Sequence, residues 1–430
     1  SETESMEPRQ PLHVAFVSQY FYPEQFSNNE IVKYLVQKGY SVDVICCVPN
    51  YGKEAFFDGY SNGTRATEDW NGARIHRAWT VARGNSKLRL MLNYLTFPVF
   101  GSFRALRAYK GRTPPDVVFV SMPSPLFQGF VGLAIKARYG ARCVYWVQDL
   151  WPDSLTLTLG ITNPVIVRPL SWICGWLYRQ ADTILVQSAA FPRRIELFGV
   201  PAEKISVLPN TAPETYVPLD PDPIREEAKW MQAGQIKFVF AGNIGESQDV
   251  EGLIDAFSQL DDETGAHFYI IGSGRNLDSV KARVRARGLE SKITFLGRHP
   301  EERMPHFFAN ADALIVSLKD NDIFSLTVPY KVQCYMACGR PIIAMINGEG
   351  ARIIQQSGSG FVASAGRSED LAELFARFCA LNPAKRQKIG QAARSWFDTH
   401  YSKATVYRTL EAALAGVTAR SLDAHEHMKT

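Results

Sequence analysis

The chain has 430 residues, 46% of them hydrophobic and 21% charged, which is the composition of an ordinary globular protein with room for two or three domains. Its formal net charge is only +4, so nothing global calls for nucleic acid as a partner. The seven cysteines include no C-x-x-C pair and lie mostly in apolar runs, so we expect buried free thiols in a reducing cytoplasm. No stretch has the length and purity of a transmembrane helix, and the polar residues 1–10 lack the apolar region of a signal peptide.

From Leu12 the sequence alternates short apolar runs with helix-length amphipathic stretches, the pattern of a parallel sheet wrapped by helices. A helix is predicted over Asn29–Lys38, because Gly39 follows it where a left-handed C-terminal cap is expected. The strands predicted in the first half are His13–Ser18, Val42–Val48, Val117–Val120, Cys143–Val147 and Thr183–Val186.

The alternation stops at residues 209–223, where prolines accumulate, and this segment is predicted to link two domains. Beyond it the predicted strands are Lys237–Ala241, His267–Ile271, Lys292–Leu296, Ala313–Ser317 and Pro341–Ala344. We therefore predict an α/β protein with Rossmann-like domains at 11–208 and 209–387, and a C-terminal helix near 388–416 that packs back on the first. Sheets of this kind bind ligands at the carboxyl ends of their strands, so the main site is expected in a cleft between the two domains.

Two loops of the first half carry candidate binding residues. The loop at 18–29 ends in Ser27, Asn28 and Asn29, which could reach the cleft or could simply cap the next helix. The second loop, W-V-Q-D-L-W-P-D at 146–153, follows an apolar run. Here Asp149 could orient or deprotonate a hydroxyl and Trp151 could stack on a sugar ring, with Asp153 beside them. The alternative is that Asp149 caps the following helix.

Glycine turns follow two strands of the second half. Gly242-Asn-Ile-Gly245 leads through Gln248 into a helix, so its amides could hold a phosphate, although a turn needed only for packing is the alternative. Gly272-Ser-Gly274, followed by Arg275, has Leu277 where a third glycine would stand in G-x-G-x-x-G. A dinucleotide-dependent oxidoreductase is therefore disfavoured.

Two further loops of the second half suit a nucleotide. Gly297-Arg298 ends a strand in a residue small enough for a flat base to approach. After the acidic loop at 319–322 come the hydroxyls of Ser325 and Thr327, then Pro329 as a helix start and Lys331 within its first turn, an arrangement suited to a diphosphate. Asp320 and Asp322 form a D-x-D pair that could hold a metal, but a solvated loop is the favoured interpretation, so no divalent metal is expected.

Taken in order, these loops resemble the family-4 retaining glycosyltransferases of the GT-B fold, which has two facing Rossmann-like domains and a deep interdomain cleft. Within that family the resemblance is to bacterial N-acetyl-L-fucosaminyl transferases of surface-polysaccharide assembly. It runs from about His13 to His400. The motifs that carry it are SQYFYPEQF at 18–26, VPNYGKEAFFDGY at 48–60, DLWPDS at 149–154, AGNIGESQD at 241–249, FLGR at 295–298, SLKDNDIFSLTVPYKVQCYMACGRPIIA at 317–344 and NGEGARII at 347–354.

The resemblance implies a hexosyltransferase-type enzyme that uses a UDP-sugar, with an N-acetylated deoxyhexosamine as the expected sugar, and needs no cofactor. The acceptor it implies is a polyprenyl-diphosphate-linked sugar or another glycan held by the first domain. Catalysis is assigned to Asp149 and Lys331, with front-face attack in which the leaving phosphate accepts the acceptor proton. The donor-binding residues are Gly242, Asn243, Gly245, Gln248, Gly272, Gly274, Arg275, Gly297, Arg298, Ser325, Thr327, Tyr330, Gln333, Glu349 and Gly350; the acceptor-binding residues are Ser27, Asn28, Trp151 and Asp153.

The chain departs from the wider family at several donor positions, including the first glycine loop, where the usual arginine is replaced within 243–246. Two glutamates separated by seven residues are usual in that family, but Leu326 and Cys334 occupy those positions, and Tyr330 replaces a small residue. A sugar-nucleotide epimerase or hydrolase of the same fold, or a non-catalytic relative that binds sugar nucleotides, is the alternative function.

Residues 71–112 contain nine basic residues and no acidic one, around an apolar stretch at 90–100. Basic residues flanking an apolar helix suit an anionic membrane surface, so 83–112 is predicted to dock the protein at the inner face of the bacterial cell membrane. The alternative is an ordinary core helix with solvated basic ends.

Overall fold

The computed structural model describes residues 11–417 apart from 25, 123–125, 158–159 and 235. Its contacts divide the chain into two compact units, the first reaching Leu208 and resuming at Tyr407, the second comprising Pro209–Val406. Each unit has a predominantly parallel sheet between helices, the α/β architecture expected from the alternating sequence. The seven cysteines are free thiols, and all but Cys379 are buried, as predicted.

The first unit is built on a sheet in the order β3-β4-β2-β1-β5-β6-β7-β8, parallel except where β3 pairs with β4. Its central strands are continuous apolar runs because helices cover both faces of the sheet. The strands are β1 His13–Val17, β2 Ser41–Cys47, β3 Thr67–Trp70, β4 Ala73–Ala78, β5 Val117–Met122, β6 Arg142–Val147, β7 Thr183–Val186 and β8 Ile205–Val207. The helices are α1 Ser27–Gln37, α2 Lys87–Thr96, α3 Ser102–Ala108, α4 Gly129–Tyr139, α5 Asp153–Leu157, α6 Pro164–Gln180 and α7 Pro192–Glu196.

The strand β4 was not predicted, because its sequence A-R-I-H-R-A lacks an apolar run. Two of its polar side chains, His76 and Arg77, are nonetheless buried and paired. His76 lies 2.9 Å from the carboxylate of Asp43 on β2, and Arg77 donates to Glu68 on β3 at 2.7 Å. Burial of these groups is tolerated because each has a charged or hydrogen-bonding partner.

The second unit has a parallel sheet in the order β11-β10-β9-β12-β13-β14. Alternate residues of β9 face opposite cores, Phe238 and Phe240 on one side and Val239 and Ala241 on the other. The strands are β9 Ile236–Ala241, β10 Ala266–Ile271, β11 Ile293–Gly297, β12 Ala313–Ser317, β13 Ile342–Met345 and β14 Gly360–Ala363. The helices are α8 Glu226–Trp230, α9 Val250–Ser258, α10 Leu277–Ala286, α11 Met304–Phe308, α12 Asp322–Leu326, α13 Tyr330–Ala337, α14 Glu349–Ser357, α15 Ser368–Ala380 and α16 Pro383–His400.

Two features near the ends of the second unit differ from the sequence expectation. The proline-rich segment at 209–223 is packed rather than free, since Ala212 and Tyr216 are buried in the core of the unit. In place of one helix near 388–416 there are two, α16 and α17 (Lys403–Leu414). Only the part of α17 from Tyr407 groups with the first unit, where Glu411 accepts a hydrogen bond from Tyr34 at 2.6 Å.

Candidate functional site

The second unit contains a cavity of about 880 Å³ at the carboxyl ends of its strands, a size typical of small-molecule sites. It is lined by the loops that follow β9, β10 and β11 and by the first turns of α13. Since β9 is flanked by β10 on one side and β12 on the other, the cavity lies at the reversal of strand order where such sheets bind ligands. The residues predicted for donor binding or catalysis that line it are Gly242, Asn243, Gly272, Gly274, Arg298, Tyr330 and Lys331.

Two glycines allow the loops to approach one another at this edge. Gly242 has a φ of 146° and Gly272 a φ of 140°, values that residues with side chains rarely adopt. A Cβ on Gly242 would lie 2.6 Å from Nζ of Lys331, and one on Gly272 would overlap the carbonyl oxygen of Gly242. The glycines therefore bring backbone directly against the lysine.

Lys331 is a cation with no anionic partner. Its Nζ lies 4.0 Å from the centroid of the Phe240 ring, and no carboxylate in the described parts of the chain pairs with it. Burial lowers the pKa of Lys331 from 10.5 to about 7. A ligand that brings negative charge to this cavity would therefore stabilise the ammonium form.

Several predicted donor residues support the loops instead of lining the cavity. Gln248 accepts a hydrogen bond from the Gly245 amide at 3.1 Å and so holds the glycine turn closed. Gln333 is buried and donates to the carbonyl of Asn210 at 2.9 Å. Glu349 pairs with Arg352 at 2.8 Å. The remaining ones, Arg275, Gly297, Ser325, Thr327 and Gly350, are likewise absent from the cavity lining, and their roles stay predictions.

The acidic loop before α12 shows no metal site. Asp320 accepts a hydrogen bond from Asn347 at 3.0 Å, and Asp322 begins α12, whose start is capped by the Asn321 side chain. No group of three or more potential metal ligands occurs anywhere in the described ranges.

In the first unit, the predicted residues after β6 form a hydrogen-bonded group. One carboxylate oxygen of Asp149 accepts from the Ser154 hydroxyl and the other from the Trp151 indole at 3.3 Å. Asp153 begins α5 and lies 3.4 Å from Arg194, and burial raises the pKa of its carboxyl. Asp149 and Trp151 are thus held together, and their predicted roles stay predictions.

The loop after β1 separates its two predicted residues. Ser27 is exposed, whereas Asn28 is buried and donates to the hydroxyl of Ser18 at 2.9 Å. Glu24 of the same loop was not predicted as a site residue, yet its buried carboxylate accepts hydrogen bonds from the amides of Asn50 and Tyr51. Burial raises the pKa of Glu24 to about 7.

Two protein families match the chain, one in each half. The family described as glycosyl transferase 4-like domain matches residues 27–211, and glycosyl transferases group 1 matches residues 225–396. The chain belongs to the group 1, or GT4, glycosyltransferases. The cavity beside Lys331 lies within the part matched by the group 1 domain.

Individual relatives of this group 1 glycosyltransferase are distant. It is 27% identical over 279 residues to a Pseudomonas aeruginosa protein named as a glycosyltransferase, WbjE, covering 63% of this chain and 67% of that one. It is 26% identical over 320 residues to an Escherichia coli protein named as a colanic acid biosynthesis glycosyl transferase, WcaI, covering 72% of this chain and 76% of that one.

Solved structures establish the GT-B fold. Sucrose-phosphate synthase of Thermosynechococcus elongatus superposes with a TM-score of 0.66 at 15% identity, over 97% of this chain and all of that one. HepE of Anabaena, solved with UDP, superposes with a TM-score of 0.64 at 15% identity, over 94% of this chain and all of that one. At such identities the likeness shows the fold of this glycosyltransferase and does not identify its substrates.

The cavity also contains residues that the sequence did not indicate, including Tyr216, Glu301 and Phe308. Tyr216 belongs to the segment interpreted as a linker. Glu301 follows the predicted base loop by three residues and carried no motif of its own.

Proposed function

We propose that this glycosyltransferase is a retaining enzyme that transfers a sugar from a UDP-sugar to a lipid-linked glycan acceptor of bacterial surface-polysaccharide synthesis. The observation that supports it best is the unpaired Lys331 ammonium, which lies against the glycine turn at Gly242 in the cavity of the second unit. A nucleotide diphosphate supplies the anion that this cation lacks.

The chemistry required of such a site is stabilisation of the departing diphosphate. Lys331 and the free amides at the start of α13 are positioned to neutralise that charge without a metal. In the proposed reaction the bond from the anomeric carbon to the diphosphate oxygen breaks while the acceptor oxygen bonds to the same face of that carbon. The proton of the acceptor hydroxyl passes to the leaving diphosphate, so no protein nucleophile is needed.

The donor and acceptor classes are supported by the relatives. UDP is bound in the solved structure of HepE, which shares the fold. WcaI is named for colanic acid biosynthesis, and the curated relatives also include a second Escherichia coli protein named for that process, WcaL. An N-acetylated deoxyhexosamine as the transferred sugar follows from the motif resemblance alone. In this proposal the first unit holds the acceptor, with Asp149 and Trp151 among its contacts.

The surface of the first unit supports docking on a membrane. Large apolar side chains are exposed at helical spacing along α2, the π-helical turn Phe97–Gly101 and α3; they are Leu88, Met91, Leu92, Leu95, Val99 and Phe103. We call these six residues the apolar stripe. Lys87, Arg89, Arg107 and Lys110 are exposed basic residues on or beside the same helices. An exposed stripe argues against the alternative of a core helix, because a core helix would bury these side chains.

The helix α6 presents a second exposed apolar face, on which Val165 is 79% and Trp172 69% exposed. No acidic residue occurs from Ser154 to Ala181, so the segment around this helix is also suited to an anionic surface. Tryptophan favours the interface between lipid and water. Among the described residues no helix is long and apolar enough to cross a membrane.

The proposed donor is tested by nucleotide binding. UDP at a hundredfold excess over its Kd should raise the melting temperature by about 5 to 10 °C, and GDP and dTDP should raise it less. The Lys331→Met variant should fold but should lose most of the UDP effect, because its side chain cannot neutralise the diphosphate. Equal stabilisation of both proteins by UDP would contradict the assignment of the diphosphate to Lys331.

A further inference from the structure

One carboxylate lines the cavity of the second unit. Among the described residues that form its wall, Glu301 is the only Asp or Glu. It begins the short 3₁₀ turn Glu301–Arg303 after β11, and it lies near enough to α13 for its charge to act on Cys334 there. The cavity is proposed to bind an anion beside Lys331, and a carboxylate in its wall would repel that anion. The presence of Glu301 therefore requires a physical explanation.

The hydrogen-bonding capacity of Glu301 is largely unused. Its one hydrogen bond within the described structure comes from the Tyr216 hydroxyl, which donates to Oε1 at 3.4 Å. The nearby Arg303 pairs instead with Glu226 at 3.2 Å and Glu227 at 2.9 Å. The exposed carboxylate of Glu301 is therefore free to accept hydrogen bonds from a ligand.

The turn that carries Glu301 is rigidly supported. His299 is fixed by a 2.7 Å hydrogen bond to the carbonyl of Leu296, and the Arg303 guanidinium stacks over Trp230 with its centre 4.9 Å from the ring centroid. A carboxylate on such a turn is presented to the cavity without a large entropic cost on binding.

Glu301 lines the same cavity as Arg298 and His299, which stand three and two residues before it, and as Lys331 on α13. Cys334, one turn beyond Lys331, is close enough that the Glu301 charge adds to the effect of burial, which raises the pKa of its thiol to about 12. The Cys334 thiol is therefore neutral near pH 7 and adds no negative charge to the cavity.

A nucleoside diphosphate has its ribose between its base and its phosphates, and the two ribose hydroxyls are adjacent donors that a carboxylate can bind with both oxygens. With the diphosphate at Lys331 and the base toward Arg298, the ribose falls beside Glu301. We propose that Glu301 binds the ribose hydroxyls of the donor nucleotide and so selects ribonucleotides over deoxyribonucleotides. This inference rests on the proposed donor function, and it explains why a negative group is retained in an anion site.

Isothermal titration with UDP and 2′-deoxy-UDP tests the inference. Wild-type protein should bind UDP about tenfold to a hundredfold more tightly than 2′-deoxy-UDP. In Glu301→Gln the two nucleotides should bind with Kd values within about threefold of each other, because UDP binding weakens while 2′-deoxy-UDP binding changes little. Glu302→Gln is the matched control: its carboxylate is exposed and outside the cavity lining, so it should keep the wild-type ratio.

The outcomes separate this inference from the proposed function. If Glu301→Gln binds UDP and retains the wild-type preference over 2′-deoxy-UDP, the role of Glu301 is wrong while the donor assignment stands. If wild-type protein binds neither nucleotide, the donor assignment fails and the inference fails with it. Melting temperatures of the three proteins within about 2 °C of one another would show that the comparison concerns binding and not folding.

Discussion

At the scale of single residues, Lys331 is the group on which the donor assignment depends. Its Nζ lies against the Phe240 ring and the glycine turn, and it forms no ion pair with a carboxylate among the described residues. Burial lowers its pKa to about 7, so at pH 8 most of the unliganded protein carries a neutral lysine. Binding of a diphosphate favours the ammonium and must raise this pKa again.

UDP binding at pH 8 should therefore take up close to one proton. Titrations in two buffers of different ionisation enthalpy measure this uptake directly, and the affinity for UDP should fall as the pH rises above about 7. Lys331→Arg is the control, because arginine stays charged and should bind UDP without uptake. Proton uptake equal in both proteins would assign the titration to another group.

The same pKa shift has a consequence for folding. The unfolded chain binds a proton at Lys331 up to about its ordinary pKa of 10.5, whereas the folded chain releases it near 7. Between those values the unfolded state binds more protons, so this residue makes the folded state more stable as the pH rises. The contribution is opposite in sign to that of a lysine stabilised by an ion pair.

The residues of the cavity were predictable from sequence only where they belong to a motif. Gly242, Gly272 and Lys331 stand directly after strands or at a helix start, positions that follow from the alternation of strands and helices. Tyr216 and Glu301 reach the cavity through tertiary packing of a proline-rich segment and a short turn. Local periodicity carries no information about such contacts.

At the scale of elements, the basic residues of 71–112 serve two purposes, internal structure and exposed charge, which the composition of the segment did not distinguish. Several of the basic residues in 71–112 are structural: Arg77 donates to Glu68 at 2.7 Å, Arg112 lies 3.4 Å from Asp43 and Arg104 donates to Thr67 at 2.7 Å. Charge counting therefore overstated the basic surface available to lipid. What remains exposed is the apolar stripe and the basic residues beside it.

Removing apolar side chains from the stripe should weaken membrane binding. The double variant Leu88→Ser and Phe103→Ser should lower the affinity for vesicles of phosphatidylglycerol and phosphatidylethanolamine by tenfold or more, because each side chain loses roughly 1.5 to 3 kcal/mol of burial in lipid. Trp172→Ser on α6 should have a smaller effect in the same direction. Co-sedimentation with vesicles measures all three proteins.

Ile224→Ser provides the comparison for that experiment, because Ile224 is 82% exposed but lies on the second unit. It should bind vesicles as wild-type protein does. Equal sedimentation of the stripe double variant and the wild type would assign the exposed face to a different partner.

At the scale of the whole molecule, the tandem α/β organisation could be inferred because central parallel strands are buried on both faces and read as apolar runs. The strands that escaped prediction are short or polar and lie at or next to the sheet edges, as with β3 and β4, where Glu68 and Arg77 pair with each other. The segment at 209–223, which its prolines suggested was a linker, packs into the second unit because Ala212 and Tyr216 contribute apolar surface to the core.

Acceptor-dependent release of UDP tests the central claim most directly. The wild-type protein should release UDP from a UDP-sugar drawn from a panel only when vesicles carry a polyprenyl-diphosphate-linked sugar. Lys331→Ala should fold normally, yet its rate of UDP release should be at least about a hundredfold lower than that of the wild type. UDP release at the same rate without acceptor, or near-normal turnover by Lys331→Ala, would contradict the account.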